Sequence, residues 1–210
     1  MEQVAKQIAA KLLQIKAIKL EPANHFTWAS GWFSPIYCDN RKTLSYPEVR
    51  TFIKNAFVKA IKDNFADFDV VAGVATGAIA QGALVAEAMN KPFVYVRSKA
   101  KEHGMGNQIE GFLEAGKKVL VVEDLISTGG SSLSAVRAIR EANCEVIGMV
   151  AIFTYGFQKA IENFHKENVK LITLSNYESL IEHALETGYV SETDLKLLQE
   201  WRKNPAIWKK

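Results

Sequence analysis

Glu123 and Asp124 close an apolar run, and Ser127, Thr128, Gly129, Gly130 and Ser131 follow almost at once, in the stretch KVLVVEDLISTGGSS that ends at Ser132. Carboxylates accept hydrogen bonds and repel anions. A short run of hydroxyls and glycines does the opposite, because it turns N–H and O–H donors toward an anion. The two features therefore suit different ends of one ligand. The hydroxyl and glycine loop, with a helical pattern starting just beyond it, is built to grip a phosphate. Its glycines let the backbone approach closely. The carboxylates suit the neutral hydroxyls of a sugar, so a ribose 5-phosphate fits where a bare phosphate would be repelled. A plain strand-turn-helix connection also carries glycines; the acidic pair joined to the hydroxyl run is what favours the functional reading. Neither G-x-x-x-x-G-K-[ST] nor G-x-G-x-x-G after a strand occurs in the chain, so the common nucleotide loops do not apply.

Three further stretches carry candidate chemistry. RSKAKEHGMGNQIEG, Arg97 to Gly111, follows a strand pattern, has neither helical nor strand period, and holds Lys99, Lys101, His103 and three glycines. Loops of this length inside a compact domain are usually functional or disordered. VATGAIAQG, Val74 to Gly82, is a second strand-to-helix turn; its Thr76 and Gly77 allow backbone amides to touch a phosphate, and close helix packing explains the small residues nearly as well. HFTWASGWFSPIYCDNR, His25 to Arg41, is rich in aromatics and broken by Gly31 and Pro35, which reads as short strands joined by turns.

VLVVEDLISTGGS resembles the thirteen-residue signature of the type I phosphoribosyltransferases, which bind 5-phosphoribosyl 1-pyrophosphate (PRPP). The aromatic stretch resembles the N-terminal hood of the orotate phosphoribosyltransferases, through Phe26-Thr27, Ser30-Gly31, Ser34-Pro35-Ile36-Tyr37 and Asp39-x-Arg41. Arg97, Lys101, His103 and Gly104 fit that family's R-x-x-x-K-x-H-G loop, and the resemblance runs from about Phe26 to Tyr155. It implies transfer of the phosphoribosyl group from PRPP to orotate, giving orotidine 5-phosphate and pyrophosphate. It implies PRPP contacts from Arg97, Lys101, His103, Thr76, Gly77, Glu123, Asp124, Leu125, Ile126 and Ser127 to Ser131, with Lys101, His103 and Asp124 catalytic. It places orotate against Ser127, Ser30, Gly31 and Tyr37. It also implies Mg2+ carried on the diphosphate with no protein metal cage, and a homodimer with shared active sites. Three positions depart from other members. Trp28 and Ala29 stand where some have a lysine, Ser98 where some have a second lysine, and Thr154-Tyr155-Gly156 where some have an orotate-binding arginine. A purine phosphoribosyltransferase and a PRPP-sensing regulator are the other readings. The regulator should carry a basic or helix-turn-helix module, and none is visible.

These residues need a scaffold, and the patterning supplies one. Near-continuous apolar strands at 69–74, 93–97, 118–124, 145–153 and 169–175 alternate with helical patterns at 80–89, 132–142 and 157–167. That alternation predicts a parallel α/β sheet with helices on both faces, whose ligands bind at the carboxyl ends of the strands. Val4, Ile8, Leu12 and Ile15 predict an opening amphipathic helix. Ser45 with Glu48 predicts a capping box before the next helix, and Ser191 with Asp194 another near the end. The expectation is a single domain over 1–210, in which residues 1–45 form an N-terminal helix and hood over the site. With 26 basic and 23 acidic side chains, charge gives no reason to expect nucleic-acid binding. Cys38 and Cys144 lack metal-ligand spacing and read as reduced thiols, so a cytoplasmic protein with no membrane span is expected. Cys38 is expected to be a small buried residue and no nucleophile, and His25, His165 and His183 are weaker candidates.

Overall fold

The computed structural model describes residues 2–28, 30–98 and 108–209. Its centre is a six-stranded sheet made from β5 (Val70–Val74), β6 (Phe93–Val96), β7 (Ile109–Glu110), β8 (Lys118–Ile126), β9 (Glu145–Thr154) and β10 (Leu171–Asn176). The spatial order is β10-β9-β8-β5-β6-β7. Every neighbour pair is parallel except β6 and β7, so a short antiparallel edge strand follows the long loop.

The side chains of the inner strands sort by parity. Val71, Leu120, Val122, Val150 and Ile152 face one apolar cluster, and Val70, Ala72, Val119, Val121, Met149 and Ala151 face the other. Helices α1 (Glu2–Gln14), α2 (Pro47–Asn64) and α3 (Ile79–Met89) cover the first face, together with α6 (Tyr177–Glu186) and α7 (Glu192–Lys203). Helices α4 (Gly130–Glu141) and α5 (Gln158–Lys166) cover the second. Burial on both faces is why these strands read as continuous apolar runs with no alternation.

Connectivity fixes where a ligand can sit. From β5 the chain moves outward to β6, whereas from β8 it moves the other way to β9. The loops leaving β5 and β8 therefore diverge, and a crevice opens between their carboxyl ends. Both phosphate-type loops anticipated from the sequence, 75–78 and 127–130, lie there.

The hood is two small antiparallel ribbons. Strand β1 (Ile18–Leu20) pairs with β4 (Ile36–Cys38), and β2 (Phe26–Thr27) pairs with β3 (Phe33–Ser34). Trp201 of α7 donates from Nε1 to the Phe33 carbonyl at 3.1 Å, and Trp28 donates to the Ile36 carbonyl at 3.1 Å. The C-terminal helix thus holds the hood against the core.

One capping expectation fails and one holds. Ser45 is the last residue of a 3-10 helix, Asn40–Ser45, and Tyr46 is the N-cap of α2 without a side-chain hydrogen bond. Pro47 opens α2 and has no N–H to satisfy, which lessens the need for a cap. Ser191 and Asp194 do form a full capping box on α7. The 3-10 helix is capped by Asp39, whose carboxylate accepts from the Arg41 N–H.

Candidate active site

The crevice holds a cavity of about 420 Å³. Its walls are the β8 residues Glu123, Asp124 and Leu125, the turn Ser127–Ser132, the β5 turn from Val74 to Gly77, and Cys38, Asp39 and Arg41 of the hood. A second cavity of about 250 Å³ adjoins it, sharing Cys38, Leu125 and Ser127, and is completed by Thr27, Trp28, Tyr37 and Tyr155. One chamber is polar and loop-lined, the other aromatic.

The acidic pair divides its work. Glu123 is 3% exposed, and both its oxygens are occupied: Oε1 accepts from the Asp124 N–H at 2.9 Å and Oε2 from the Ser132 hydroxyl at 2.7 Å. Burial, followed by the Asp124 charge, raises its carboxyl well above the usual range. Asp124 is raised as well, chiefly by burial, against hydrogen bonding and the Arg41 charge that pull it down. Asp124 is the carboxylate left to meet a ligand.

Backbone approach around Asp124 is tight. A Cβ built on Gly77 would lie 2.5 Å from Asp124 Oδ1, so this turn touches the carboxylate only because it carries no side chain. The Ala75–Thr76 peptide just before it is cis. On the other side, the buried Asn40 donates from Nδ2 to the Asp124 carbonyl at 2.6 Å. Asn40 in turn receives the Cys38 thiol, at 3.4 Å, on its side-chain oxygen. Its own carbonyl accepts from Thr43, which accepts from Gln81 of α3. This buried chain ties hood, β8 and α3 together at the carboxylate.

The hydroxyl turn is held from outside. Gly129 sits at φ +81° as the N-cap of α4, with no side-chain cap, and a Cβ there would strike the Phe164 ring at 2.7 Å. Asn163 of α5 donates to the Thr128 carbonyl at 2.9 Å. The first N–H groups of α4 are therefore left facing the turn, an anion-binding arrangement.

Of the residues singled out from sequence, Thr76, Gly77, Glu123, Asp124, Leu125, Ser127, Thr128, Gly129, Gly130 and Ser131 line the first cavity. Tyr37 and Ser127 line the second. Ile126 is fully buried at the end of β8. Ser30 and Gly31 lie exposed at the tip of the β2–β3 hairpin and line neither cavity. Arg97 lines neither; at the end of β6 its guanidinium is 3.6 Å from Glu110. Lys101 and His103 lie outside the described residues. Cys38 is half-buried against the core, short of the full burial expected, and lines both cavities; burial, then Asp124 and Asp39, push its thiol well up, so it is no thiolate nucleophile. His25 packs tilted against Phe33 with ring centroids 4.5 Å apart, while His165 and His183 sit on helices away from both cavities. Asp39, Asn40 and Tyr155 were not singled out as site residues, because their importance rests on contacts across the fold.

Known proteins resemble this chain in sequence and in fold. The phosphoribosyl transferase domain matches residues 44–186. An orotate phosphoribosyltransferase of Phocaeicola vulgatus is 62% identical over 208 residues, 99% of this chain and 98% of that protein. One from Listeria innocua is 56% identical over 207 residues, 99% of each. The crystal structure of the orotate phosphoribosyltransferase from Aeropyrum pernix superposes with a TM-score of 0.76 at 26% identity, covering 88% of this chain and 99% of that one. Sequence likeness extends from end to end and takes in both cavities, so the chain belongs to the orotate phosphoribosyltransferase family.

Proposed function

We propose that the two adjoining cavities bind PRPP and orotate side by side, and that the chain joins them into orotidine 5-phosphate with release of pyrophosphate. The observation that carries this reading is the shared wall. Cys38, Leu125 and Ser127 border both chambers, so a sugar held at Asp124 presents its anomeric carbon toward a planar base between Trp28, Tyr37 and Tyr155.

In this assignment the 5-phosphate sits in the Ser127–Ser131 turn against the N-terminus of α4. Asp124 accepts from the ribose hydroxyls, and Glu123 braces it through the Asp124 N–H. The diphosphate runs toward Thr76 and Gly77, which line the cavity and offer it backbone N–H donors. The C1–O bond to pyrophosphate breaks with its electron pair leaving on the diphosphate, and N1 of orotate forms the new C1–N bond as its N1–H proton passes to the departing diphosphate or to water. The negative Asp124 stabilises the positive charge that grows on the sugar carbon. Arg97, Lys101 and His103 meet the leaving diphosphate; Lys101 or His103 neutralises or protonates it.

Among the described residues no group of three or more His, Cys, Asp or Glu forms a metal cage. Mg2+ favours octahedral oxygen sites completed by water and substrate phosphates, and the oxygen donors of Asp39 and Asp124 in the first cavity fit that role. Bound there with the diphosphate, the ion would offset its charge. The active unit is a homodimer in which the 97–111 loop of one subunit reaches the partner's PRPP site. No helix among the described residues is long and apolar enough to cross a membrane.

The direct experiment is orotate consumption by the purified chain with PRPP and Mg2+, with formation of orotidine 5-phosphate and pyrophosphate. Absence of orotate consumption by folded protein would overturn the assignment.

A further inference from the structure

Orotate differs from uracil by a carboxylate, yet the described lining of the base cavity contains no cation. Thr27, Trp28, Tyr37, Cys38, Leu125, Ser127 and Tyr155 are all neutral. Asp124 acts on both Cys38 and Tyr155 of this lining, and the Arg41 cation lies in the adjoining cavity. Among the described residues, the donors that line this cavity are neutral.

Four of these residues carry hydroxyls, and they are not equivalent. Thr27 and Tyr37 are exposed, and Ser127 belongs to the phosphate turn. Tyr155 alone is buried, at 2% exposure. Its ring is locked by aromatic neighbours: Trp28 at 5.1 Å, Phe157 at 5.4 Å, Phe153 at 5.7 Å and Trp201 at 5.8 Å between centroids. Its backbone N–H is tied to the Ile126 carbonyl at 3.1 Å. Its hydroxyl, however, has no hydrogen-bond partner among the described residues. Nor is that hydroxyl sealed inside the protein. The only fully enclosed unpaired polar side-chain atom among the described residues is Gln81 Oε1, so the Tyr155 oxygen keeps some accessible surface, and the residue lines the base cavity. A rigidly held donor left unpaired in a buried setting is costly unless a ligand satisfies it.

We infer that the Tyr155 hydroxyl is a specificity determinant for the base, donating to the carboxylate of orotate. Burial raises the phenol well above its usual range, so the group is a neutral O–H donor across the working pH range. A hydrogen bond from a fixed donor to a charged acceptor in a partly water-excluded cavity is stronger than its neutral counterpart. Uracil, which offers no such acceptor, leaves the donor unpaired. Tyr155 thereby supplies by geometry a discrimination that the absent cation would have supplied by charge.

The inference rests on the proposed reading of the two cavities, and product affinities separate the two. Orotidine 5-phosphate and uridine 5-phosphate share ribose, phosphate and ring, and differ only in the carboxylate. Tyr155→Phe keeps the ring and removes an oxygen that has no described partner, so it should melt with the wild type. Calorimetric titration should show affinity for orotidine 5-phosphate falling about 10- to 100-fold, the range for a lost hydrogen bond to a charged group. Affinity for uridine 5-phosphate should stay unchanged. Equal losses for both ligands would mean a packing role, and no loss for either would mean no contact; each overturns the inference. A lowered melting temperature with an intact preference for orotidine 5-phosphate overturns it too. Wild-type protein that fails to bind orotidine 5-phosphate would instead defeat the underlying cavity assignment.

Discussion

Gly77→Ala should inactivate the enzyme without unfolding it. Gly77 is not at a positive φ, so its backbone tolerates alanine. The new methyl, though, would stand 2.5 Å from Asp124 Oδ1, in a region where ordinary contact begins at 3.4 Å. Either the carboxylate or the 75–78 turn must move by about 1 Å, and a displacement of that size at a reacting centre can cost on the order of 100-fold in rate. The Asp124 main chain is held, its carbonyl by Asn40 and its N–H by Glu123, so its carboxylate can yield only by turning about its side-chain bonds, out of its present position. The assay is steady-state turnover of orotate and PRPP, with a thermal melt alongside. Expected are a native-like melt and a drop of about 100-fold in kcat/KM. Wild-type kcat/KM in folded Gly77→Ala would refute a role in turnover for the contact between this turn and Asp124.

Further outcomes are as definite. Asp124→Asn keeps shape and loses charge, so the melt should hold while kcat falls about 10²- to 10³-fold, as when a transition-state partner is removed; wild-type turnover would remove Asp124 from catalysis. Ser191→Ala, far from both cavities, should lose about 1 kcal/mol of capping, roughly 2–4 °C in melting temperature for a domain of this size, with orotate turnover unchanged. Asp194 is held below its ordinary 3.8 by hydrogen bonds from Ser191. That stabilisation is present above 3.8 and lost as pH falls through the lowered value, so the melting gap between Ser191→Ala and wild type should narrow in strong acid; a constant gap would contradict the capping account. Mixing Lys101→Ala with Asp124→Asn subunits should restore roughly a quarter of wild-type activity under two-fold exchange, and confirmed exchange without recovery would place each loop in its own subunit's site.

The parallel sheet was legible because its strands are buried on both faces and its helices carry a clear period. The phosphate turn was legible because Glu123 to Ser131 are contiguous, so the chemistry is written in one line of sequence. Side chains that act across the fold were not. Asn40 reaches Asp124 from 84 residues away, and nothing local marks it. The contact between Gly77 and Asp124 exists only because β5 and β8 are neighbours in the sheet. Ser45 looked like a cap by spacing alone, but Asn40–Ser45 already forms a 3-10 helix and leaves Tyr46 at the boundary. Tyr155 was visible in sequence only as part of Thr154-Tyr155-Gly156, standing where some members have an arginine; its burial among Trp28, Phe153, Phe157 and Trp201 appears only in the fold.

The most direct test of the account is a base panel run under one set of conditions. Purified protein with PRPP and Mg2+ is offered orotate, adenine, guanine or hypoxanthine, and nucleotide and pyrophosphate formation are followed together. The account predicts that orotate is converted to orotidine 5-phosphate with one pyrophosphate per nucleotide and that the three purines are left unchanged. Turnover of any purine at the rate of orotate would contradict it.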